Sequence, residues 1–273
     1  MNTRPIDITD EHDERLADYR SLTDIAERRR IEGDEFFICE GPVALERLMT
    51  SGHMLRSVLT LRDKFDRVDA LLHANAIEID AFTVSREVMT SITGFDLHRG
   101  IIASANRRRP LDRDAVSTVL EASRRVAVLE GLNDPENLGA IARSAHALGI
   151  DALFIDPTCI DPYTRRTVRV SMGEILHLPT IRYTNTDELA NMLDGWELWA
   201  LTPDPHASDI WTLGVPERVA LMFGAEGPGL SRQALTCAHR AVRIPLNPNV
   251  DSLNVGNAAA VAFAILGRPF TSE

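Results

Sequence analysis

Short apolar runs alternate with helical segments between residues 125 and 266, and this alternation restricts the possible folds more than any other feature of the sequence. The predicted strands are 125–130, 152–155, 175–178, 197–201, 219–223 and 242–244. The predicted helices are 137–148, 163–170, 186–193, 230–238 and 252–266. Strands that alternate with helices build a parallel sheet that is covered on both faces. The sequence therefore predicts an α/β fold whose ligands bind at the carboxyl ends of the strands.

Three of the predicted strands lead into loops with unusual residues, at 133–143, 223–231 and 244–258. The middle loop reads Phe-Gly-Ala-Glu-Gly-Pro-Gly-Leu-Ser, and its glycines let the backbone approach a ligand closely. It lacks the Gly-Lys-Ser/Thr of a P-loop, and the Gly-x-Gly-x-x-Gly fingerprint is absent after the first strand of this region. A loop of backbone groups with the single carboxylate of Glu226 favours a neutral or cationic ligand.

The third loop carries Pro245 and Pro248 and leads into an alanine-rich helix, which we expect to begin with Ser252 as its N-cap. Ser252, Asn254 and Asn257 would then surround a helix N-terminus, where free N–H groups and partial positive charge can bind a polar group. An ordinary corner between a strand and a helix explains these residues equally well when they are taken alone.

The first loop places Asn137 and Arg143 on one predicted helix, six positions apart and therefore on different faces. Asn137 would lie at the ligand end, and the Arg143 side chain would point back towards it from nearly two turns away. Taken singly, Asn137 is explained as a helix cap and Arg143 as half of a surface ion pair. The coincidence of three such loops favours a functional role for both.

Residues 21–106 predict a smaller α/β/α domain, in which Ser85 is a candidate helix cap. This part has neither a glycine-rich phosphate loop nor a cluster of catalytic residue types, so we expect a binding module. Residues 1–20 are acidic, have little apolar content and predict a flexible arm. The charged, proline-containing segment 107–116 predicts a linker to a second domain, 117–273.

The formal net charge of −11 argues against a protein that coats nucleic acid without regard to its shape. Arginine supplies nearly all the positive charge, since Lys64 is the only lysine, and arginines are clustered at 28–30, 107–109 and 165–169. Arginine binds phosphate in a bidentate manner and stacks on bases. The clusters fit a protein that binds one defined nucleic-acid shape, and solvated helix faces and a linker are the alternative. The candidate phosphate contacts are Arg107, Arg108, Arg109, Arg165, Arg166 and Arg169.

Cysteine usage and hydropathy restrict the location and the metal chemistry. Cys39, Cys159 and Cys237 are isolated and lack the spacing of metal ligands, which predicts buried, reduced thiols and no metal site. No apolar run reaches the ~20 residues of a membrane span, and residues 1–20 do not resemble a secretory signal. These patterns predict a cytoplasmic protein without a membrane partner.

The three loops resemble the three sequence motifs of the SpoU (TrmH-type) branch of the SPOUT RNA methyltransferases. The matching runs are Asn-Asp-Pro-Glu-Asn-Leu-Gly-Ala-Ile-Ala-Arg at 133–143, Phe-Gly-Ala-Glu-Gly-Pro-Gly-Leu-Ser at 223–231, and Ile-Pro-Leu ahead of Ser-Leu-Asn-Val-Gly-Asn-Ala at 244–258. The resemblance covers about 125–266, and residues 21–105 look like the family's substrate-binding domain. Asn257 departs from the motif, because many relatives carry Ser there, but the position keeps a polar group.

The resemblance implies a trefoil knot in the parallel-sheet domain and a homodimer with the active site near its interface. It also implies S-adenosylmethionine as the methyl donor and a 2′-O-methylated ribose as the product. The separate N-terminal domain resembles that of the members directed at ribosomal RNA, so structured rRNA is the favoured substrate. A tRNA 2′-O-methyltransferase and a nonenzymatic RNA-binding protein on this fold are the alternatives.

The resemblance also assigns roles to single residues. Arg143 would be the catalytic arginine, assisted by Asn137, Glu226, Ser252 and Asn254. An ordinary arginine stays protonated, so we expect Arg143 to act as an electrostatic clamp on a phosphate or developing alkoxide, rather than as a base. The residues expected at the methyl donor are Phe223, Gly224, Glu226, Gly227, Ile244, Leu246, Ser252, Leu253 and Asn254.

Overall fold

The computed structural model describes residues 5–267 of the 273-residue chain. Its strands are β1 (Ile6–Asp7), β2 (Phe36–Glu40), β3 (Leu55–Leu61), β4 (Asp80–Val84), β5 (Ile101–Asn106), β6 (Arg125–Leu129), β7 (Ala152–Ile155), β8 (Thr180–Arg182), β9 (Glu197–Leu201), β10 (Ser208–Asp209), β11 (Val219–Phe223) and β12 (Arg240–Arg243). Its α-helices are α1 (Ile25–Glu32), α2 (Pro42–Thr50), α3 (Phe65–Ala74), α4 (Arg86–Thr93), α5 (Arg113–Ala122), α6 (Pro135–Ala147), α7 (Arg165–Val170), α8 (Thr186–Met192), α9 (Arg232–Cys237) and α10 (Val255–Leu266). Short 3-10 helices lie at Glu14–Tyr19, Arg62–Lys64, Glu174–His177 and Ile210–Thr212.

The described chain divides into two compact units. The first unit runs to Arg108 and also contains Tyr163–Leu176, and the second contains Arg109–Pro162 and continues from His177. The change of unit after Arg108 falls inside the predicted linker 107–116. Tyr163–Leu176 packs with the first unit, whereas the sequence predicts it within the second domain. Strands and helices alternate without interruption through this segment, so the local pattern holds no signal for the change.

The first unit contains a five-stranded mixed sheet with the order β1-β4-β3-β5-β2. β5 is antiparallel to β3 and β2, whereas β4 is parallel to β1 and β3. α2 packs against β2 and β5, and α3 packs against β3. Side chains of several strands form one apolar core, which includes Ile38, Leu59, Phe82 and Ile102. This is the smaller domain of strands and helices that the sequence predicts.

The prediction of a flexible arm over residues 1–20 is wrong for the described part of that segment. β1 pairs in parallel with β4, and Ile8, Leu16 and Tyr19 are buried in the core of the first unit. The Tyr19 hydroxyl forms a hydrogen bond of 2.7 Å with Ser57 Oγ. The apolar residues are few and widely spaced between acidic ones, so their burial depends on strands that come much later in the chain.

The second unit contains a seven-stranded parallel sheet with the order β10-β12-β9-β11-β6-β7-β8. This confirms the predicted α/β fold, and the trefoil knot stays a prediction. β6 and β11 are neighbours with Leu129 opposite Phe223, so the loops after these two strands begin at the same edge. α6 packs against α10, and the rings of Phe223 and Phe263 meet edge to face with their centroids 5.5 Å apart.

The predicted strand at 175–178 is wrong. Glu174–His177 forms a 3-10 helix, and the strand of this region is β8, which begins after Pro179. Ile175, Leu176 and Leu178 are nevertheless buried. A short apolar run fits a buried strand and a buried helical turn equally well.

Residues 5–267 contain neither a membrane-spanning helix nor a cluster of metal-binding side chains. No helix in this range has the length and apolar character needed to cross a bilayer. Its His, Cys, Asp and Glu side chains form no group of three or more that could bind a metal ion. Cys39 and Cys159 are buried and Cys237 is half-buried, and all three are free thiols.

Candidate active site

Helix α6 places Asn137 directly beyond the end of β6. Asp134 is the N-cap, and its side chain accepts a hydrogen bond of 2.9 Å from the Glu136 backbone N–H. Pro135 occupies the first helical position, where its missing N–H costs nothing. Asn137 therefore lies in the first turn and is only 6% exposed. The interpretation of Asn137 as a helix cap is wrong, and its side-chain amide is available for tertiary contacts.

Helix α10 begins later than the sequence predicts. Its N-cap is Asn254, whose Oδ1 accepts hydrogen bonds from the backbone N–H groups of Gly256 at 3.0 Å and Asn257 at 3.3 Å. The prediction that Ser252 is the N-cap is therefore wrong, and Ser252 lies in the exposed loop before the helix. Serine and asparagine are about equally good caps, so local chemistry does not choose between the two positions.

One amide group joins the three loops. Asn254 Nδ2 donates to Asn137 Oδ1 and to Glu226 Oε1, each at 2.8 Å. The same side chain therefore caps α10 through its oxygen and connects the loops after β6 and β11 through its nitrogen. We call these three residues the Asn137–Glu226–Asn254 cluster.

The loop after β11 is a tight glycine-rich turn, which we call the glycine loop (residues 224–230). Gly229 N–H donates to the Ala225 carbonyl at 3.0 Å and closes the turn. A Cβ on Gly224 would collide with the backbone of Gly229 and Leu230, so this position requires glycine. Gly227 and Gly229 have φ angles of +85° and +72°, and a Cβ on either would have no neighbour within 4 Å. The backbone here is open to a ligand.

The remaining residues predicted at the methyl donor lie in the loop between β12 and α10. Ile244 and Leu246 are half-buried, whereas Ser252 and Leu253 are exposed. The structure assigns no hydrogen bond between the side chain of Ser252 and the described residues, so only Asn254 of this loop joins the cluster.

Arg143 lies further along α6 and is not part of the cluster. It is six residues beyond Asn137, which corresponds to about 9 Å along the helix axis and a different face. Its side chain is exposed, and within residues 5–267 no hydrogen bond or ion pair fixes the guanidinium. The interpretation of Arg143 as half of a surface ion pair finds no partner in the described residues, and the group is available to an anion.

Two acidic residues that the sequence reasoning missed follow the strands β6 and β7. Glu130 Oε2 accepts from the Ser231 backbone N–H at 2.7 Å, and Oε1 accepts from Ser231 Oγ at 2.8 Å. Asp156 Oδ1 accepts from the backbone N–H groups of Gly131 at 3.1 Å and Cys159 at 3.0 Å. An acid directly after a buried strand is the sequence signal that could have identified both.

The environment of Asp156 changes its titration. Burial alone would raise the pKa of the Asp156 carboxyl, but hydrogen bonds from Thr158, Gly131 and Cys159 together lower this pKa below its ordinary value. Burial raises the pKa of the Tyr183 hydroxyl, and the charges of Asp156 and Glu130 raise it further. Asp156 is therefore ionised at neutral pH.

The arginines predicted to contact phosphate have different surroundings. Arg107 pairs with Glu32 at 3.5 Å, donates to the Phe36 carbonyl at 2.9 Å, and its side chain is only 12% exposed. This burial indicates a packing role in the first unit. Arg165 and Arg169 both contact Glu40, the latter at 3.9 Å.

The other three predicted arginines lie closer to solvent. Arg108 donates to the Ser51 carbonyl, whereas Arg109 belongs to the second unit and is exposed without a partner among the described residues. Arg166 is also exposed. Phosphate contact by the six arginines stays a prediction, and Arg107 is the weakest candidate.

Comparison with known protein families identifies the family of this chain. The model of the SpoU rRNA Methylase family matches residues 124–264, which include all three loops. The chain belongs to the SpoU rRNA methylase family. This confirms the predicted resemblance and shows that the chain is a member of an RNA methyltransferase family.

Relatives of this SpoU family chain match it well beyond residues 124–264. An uncharacterized tRNA/rRNA methyltransferase of Mycobacterium bovis is 38% identical over 265 residues, which cover 94% of this chain and 90% of the relative. A 23S rRNA (guanosine-2′-O-)-methyltransferase of Haemophilus ducreyi is 29% identical over 78% of this chain and 89% of its own length. The first unit is therefore shared with relatives and is not an addition to this chain.

A solved structure shows the same fold. The crystal structure of an rRNA methyltransferase from Sinorhizobium meliloti, with AdoMet (S-adenosylmethionine) bound, superposes with a TM-score of 0.76 at 23% identity. The match covers 96% of this chain and 97% of that chain. The ligand of that structure is the methyl donor that the sequence predicts for this family.

Proposed function

We propose that this SpoU family methyltransferase transfers a methyl group from S-adenosylmethionine to a ribose 2′-hydroxyl of structured RNA, with ribosomal RNA as the favoured substrate. The observation that carries the proposal is the Asn254 amide, which joins Asn137 and Glu226 at 2.8 Å each. Similarity to the 23S rRNA (guanosine-2′-O-)-methyltransferase of Haemophilus ducreyi supports both the 2′-oxygen and the rRNA. Methylation of tRNA is the alternative within the family.

The residues around the glycine loop fit the donor. S-adenosylmethionine carries a methyl group on a positively charged sulfur, and methyl transfer leaves a neutral thioether. Backbone groups beside Gly227 and Gly229 are unobstructed, and Ile244 and Leu246 offer partly buried apolar surface near the end of β12. Glu226 supplies the carboxylate that suits a cationic ligand. These residues would bind the donor together with the backbone of 252–254.

The chain's own polar groups would orient the ribose. Glu226 uses Oε1 for Asn254, and its Oε2 forms no hydrogen bond with the described residues, so this oxygen can accept a hydrogen bond from the ribose hydroxyl. The proton that the hydroxyl loses when it takes the methyl group would pass to this carboxylate and from there to water. Arg143 stays protonated and would stabilise the developing alkoxide or an adjacent phosphate. Alignment of hydroxyl and methyl group alone can remove ~7–11 kcal/mol from the barrier. The cluster therefore acts mainly by positioning.

We extend the proposal to a homodimer whose interface lies beside the active site, and to a trefoil knot in the second unit. Trp211, Val250 and Leu253 are exposed at 61%, 48% and 38% of their surfaces, and a dimer interface would cover such apolar side chains. Val250 and Leu253 belong to the loop that leads to Asn254. Light scattering after size exclusion should give twice the monomer mass of 30.2 kDa.

The reaction is tested with the purified protein, S-adenosylmethionine labelled in its methyl group, and two RNA pools, total rRNA and total tRNA from a strain that lacks the gene. We expect label in rRNA, and we expect the labelled nucleotide to resist alkaline cleavage because its 2′-oxygen is blocked. Label on a base would contradict ribose methylation. Donor binding without transfer to either pool would favour the nonenzymatic RNA-binding alternative.

The role of Arg143 is tested by Arg143→Ala. We expect loss of methyl transfer of at least about 100-fold, because removal of one transition-state donor costs that much in other enzymes, while donor affinity measured by calorimetry is kept. Arg240→Ala is the matched control, since Arg240 is exposed and begins β12, at the opposite end of the strands. Full turnover by the Arg143 variant would remove this residue from the mechanism.

A further inference from the structure

The glycine loop is bound to the rest of the second unit at both of its ends by a single residue. At its beginning, the Glu130 backbone N–H donates to the Phe223 carbonyl at 2.9 Å. At its end, the Glu130 carboxylate accepts two hydrogen bonds from Ser231, at 2.7 and 2.8 Å. Phe223 and Ser231 immediately flank the loop, so Glu130 fixes the distance between its two ends.

The Glu130 carboxylate makes the connection to Ser231, and both of its oxygens take part. Each of its two oxygens has its own donor, one a backbone N–H and the other a hydroxyl. Hydrogen bonds to an ionised group are about twice as strong as neutral ones. Ser231 Oγ in turn accepts from the Ala234 N–H at 3.1 Å and caps α9. The end of the loop therefore has one defined position.

Glu130 is itself held in place from the other side. Asp156, at the end of β7, accepts from the backbone N–H of Gly131, the next residue along the chain. A Cβ on Gly131, whose φ is +70°, would lie 3.1 Å from the Ala225 Cβ, so the two loops are in close contact. Asp156 after β7 thus holds Gly131, and the neighbouring Glu130 holds the glycine loop.

We propose that Glu130 is a positioning residue for donor binding, which keeps the glycine loop in its ligand-ready conformation. This inference rests on the proposed function, because it assigns the loop to the methyl donor. Three glycines give the free loop high conformational entropy, and a loop that is already ordered loses less entropy when a ligand binds. Glu130 binds the residues that flank the loop, Phe223 and Ser231, so it would act on the donor through Gly224 to Gly229.

The test compares two substitutions of Glu130 with a matched control. Glu130→Leu removes both acceptors at similar volume, and Glu130→Gln keeps one. Glu188→Leu is the control, because Glu188 Oε2 accepts from the backbone N–H and hydroxyl of Thr184, at 2.7 and 2.6 Å, elsewhere in the same unit. In all three variants the lost carboxylate accepts hydrogen bonds from both the backbone N–H and the hydroxyl of one residue, Ser231 for Glu130 and Thr184 for Glu188.

Donor and RNA dissociation constants are measured separately by calorimetry and filter binding, and backbone amide exchange is followed over 224–231. For Glu130→Leu we expect the donor Kd to rise about tenfold, because a loop that has lost both hydrogen bonds must be ordered when the donor binds. Glu130→Gln should give a smaller rise, the RNA Kd should stay level, and exchange should accelerate in the glycine loop. Glu188→Leu should change neither the donor Kd nor that exchange.

An unchanged donor Kd in Glu130→Leu would overturn the inference. So would a parallel loss of donor and RNA affinity together with a lower melting temperature, because that pattern means general destabilisation. If the unmodified protein binds no S-adenosylmethionine, the proposed function fails, and amide exchange alone then judges Glu130. Unaltered exchange over 224–231 in both variants would in that case refute the positioning role.

Discussion

Asn254→Asp is the substitution that separates the two roles of this side chain. The introduced carboxylate still accepts from Gly256 and Asn257, and aspartate caps helices as well as asparagine does. It cannot donate, so the hydrogen bonds to Asn137 and Glu226 are both lost. The introduced carboxylate then lies close to two acceptor oxygens, Asn137 Oδ1 and the negatively charged Glu226 Oε1.

The expected cost follows from these contacts. Each lost hydrogen bond contributes about 1 kcal/mol net, and two carboxylates about 4 Å apart in a water-like environment repel by about 1 kcal/mol. Glu226 and Asn254 are exposed, so the low-dielectric values do not apply. We expect the free energy of unfolding at pH 7 to fall by about 3 kcal/mol at most. Asn254→Ala should cost a similar amount, because it loses the cap instead of creating repulsion.

The two variants differ in their dependence on pH. In Asn254→Asp the mutual repulsion raises a carboxyl pKa of the folded state above its unfolded value, near 4. A group with a raised folded pKa stabilises the protein most below the unfolded pKa and less as pH rises. The stability deficit of Asn254→Asp should therefore shrink between pH 7 and pH 4, whereas that of Asn254→Ala, which adds no second carboxylate, should change less.

The assay is urea unfolding at several pH values, together with donor titration and single-turnover methyl transfer at pH 7.5. We expect transfer to fall by about 100-fold or more in Asn254→Asp, since a displacement of 1 Å in a positioned group can cost that much. A variant with unchanged donor affinity and full transfer would refute the idea that this amide organises the site. A deficit independent of pH would refute the assigned contact with Glu226.

Three further predictions concern other parts of the structure. Gly224→Ala should lower the free energy of unfolding by more than about 2 kcal/mol, because the new Cβ would collide with backbone atoms. Gly227→Ala should lower it by about 1 kcal/mol, because only its positive φ is unfavourable for alanine. Urea unfolding measures both values. The pKa of the Asp156 carboxyl is lowered in the folded protein, so its ionised form stabilises the fold at neutral pH and this stabilisation is lost below about pH 4. Asp156→Asn should therefore lose less stability on acidification than the unmodified protein, as measured by urea unfolding from pH 7 to 3. Arg107→Ala should lower the free energy of unfolding by about 2 kcal/mol, because it removes a nearly buried ion pair. Arg109→Glu should instead weaken RNA binding and reduce the salt dependence of that binding, with stability and donor affinity unchanged. Filter binding tests this, and equal RNA affinity in the Arg109 variant would exclude a phosphate contact there.

Local patterns predict the second unit well because its strands are buried on both faces. β11 is five buried apolar residues in a row, and a strand of a covered parallel sheet has no polar face to interrupt such a run. The glycines of the following loop mark a backbone that a side chain would obstruct. The run at 175–178 shows the limit of this reasoning, since burial alone does not distinguish a strand from a helical turn.

The choice of helix cap shows a second limit. Ser252 and Asn254 are both suitable caps by local chemistry, and the sequence favours the first of them. Asn254 is the cap in the structure, and its nitrogen binds Asn137 and Glu226 while its oxygen caps the helix. Serine has one hydroxyl and no such second group. The decision therefore depends on residues that lie 117 and 28 positions away.

The α/β class, the three loops and the family could be predicted from the sequence, because each depends on residues that are close together in the chain. Three features required the folded structure: the burial of Leu16 and Tyr19, the placement of Tyr163–Leu176 in the first unit, and the hydrogen bonds between Glu130 and Ser231. The physical reason is common to all three. A side chain is buried or bonded according to partners that only the folded chain brings near, and a hydrogen-bond acceptor in a sequence does not indicate which distant donor it will meet.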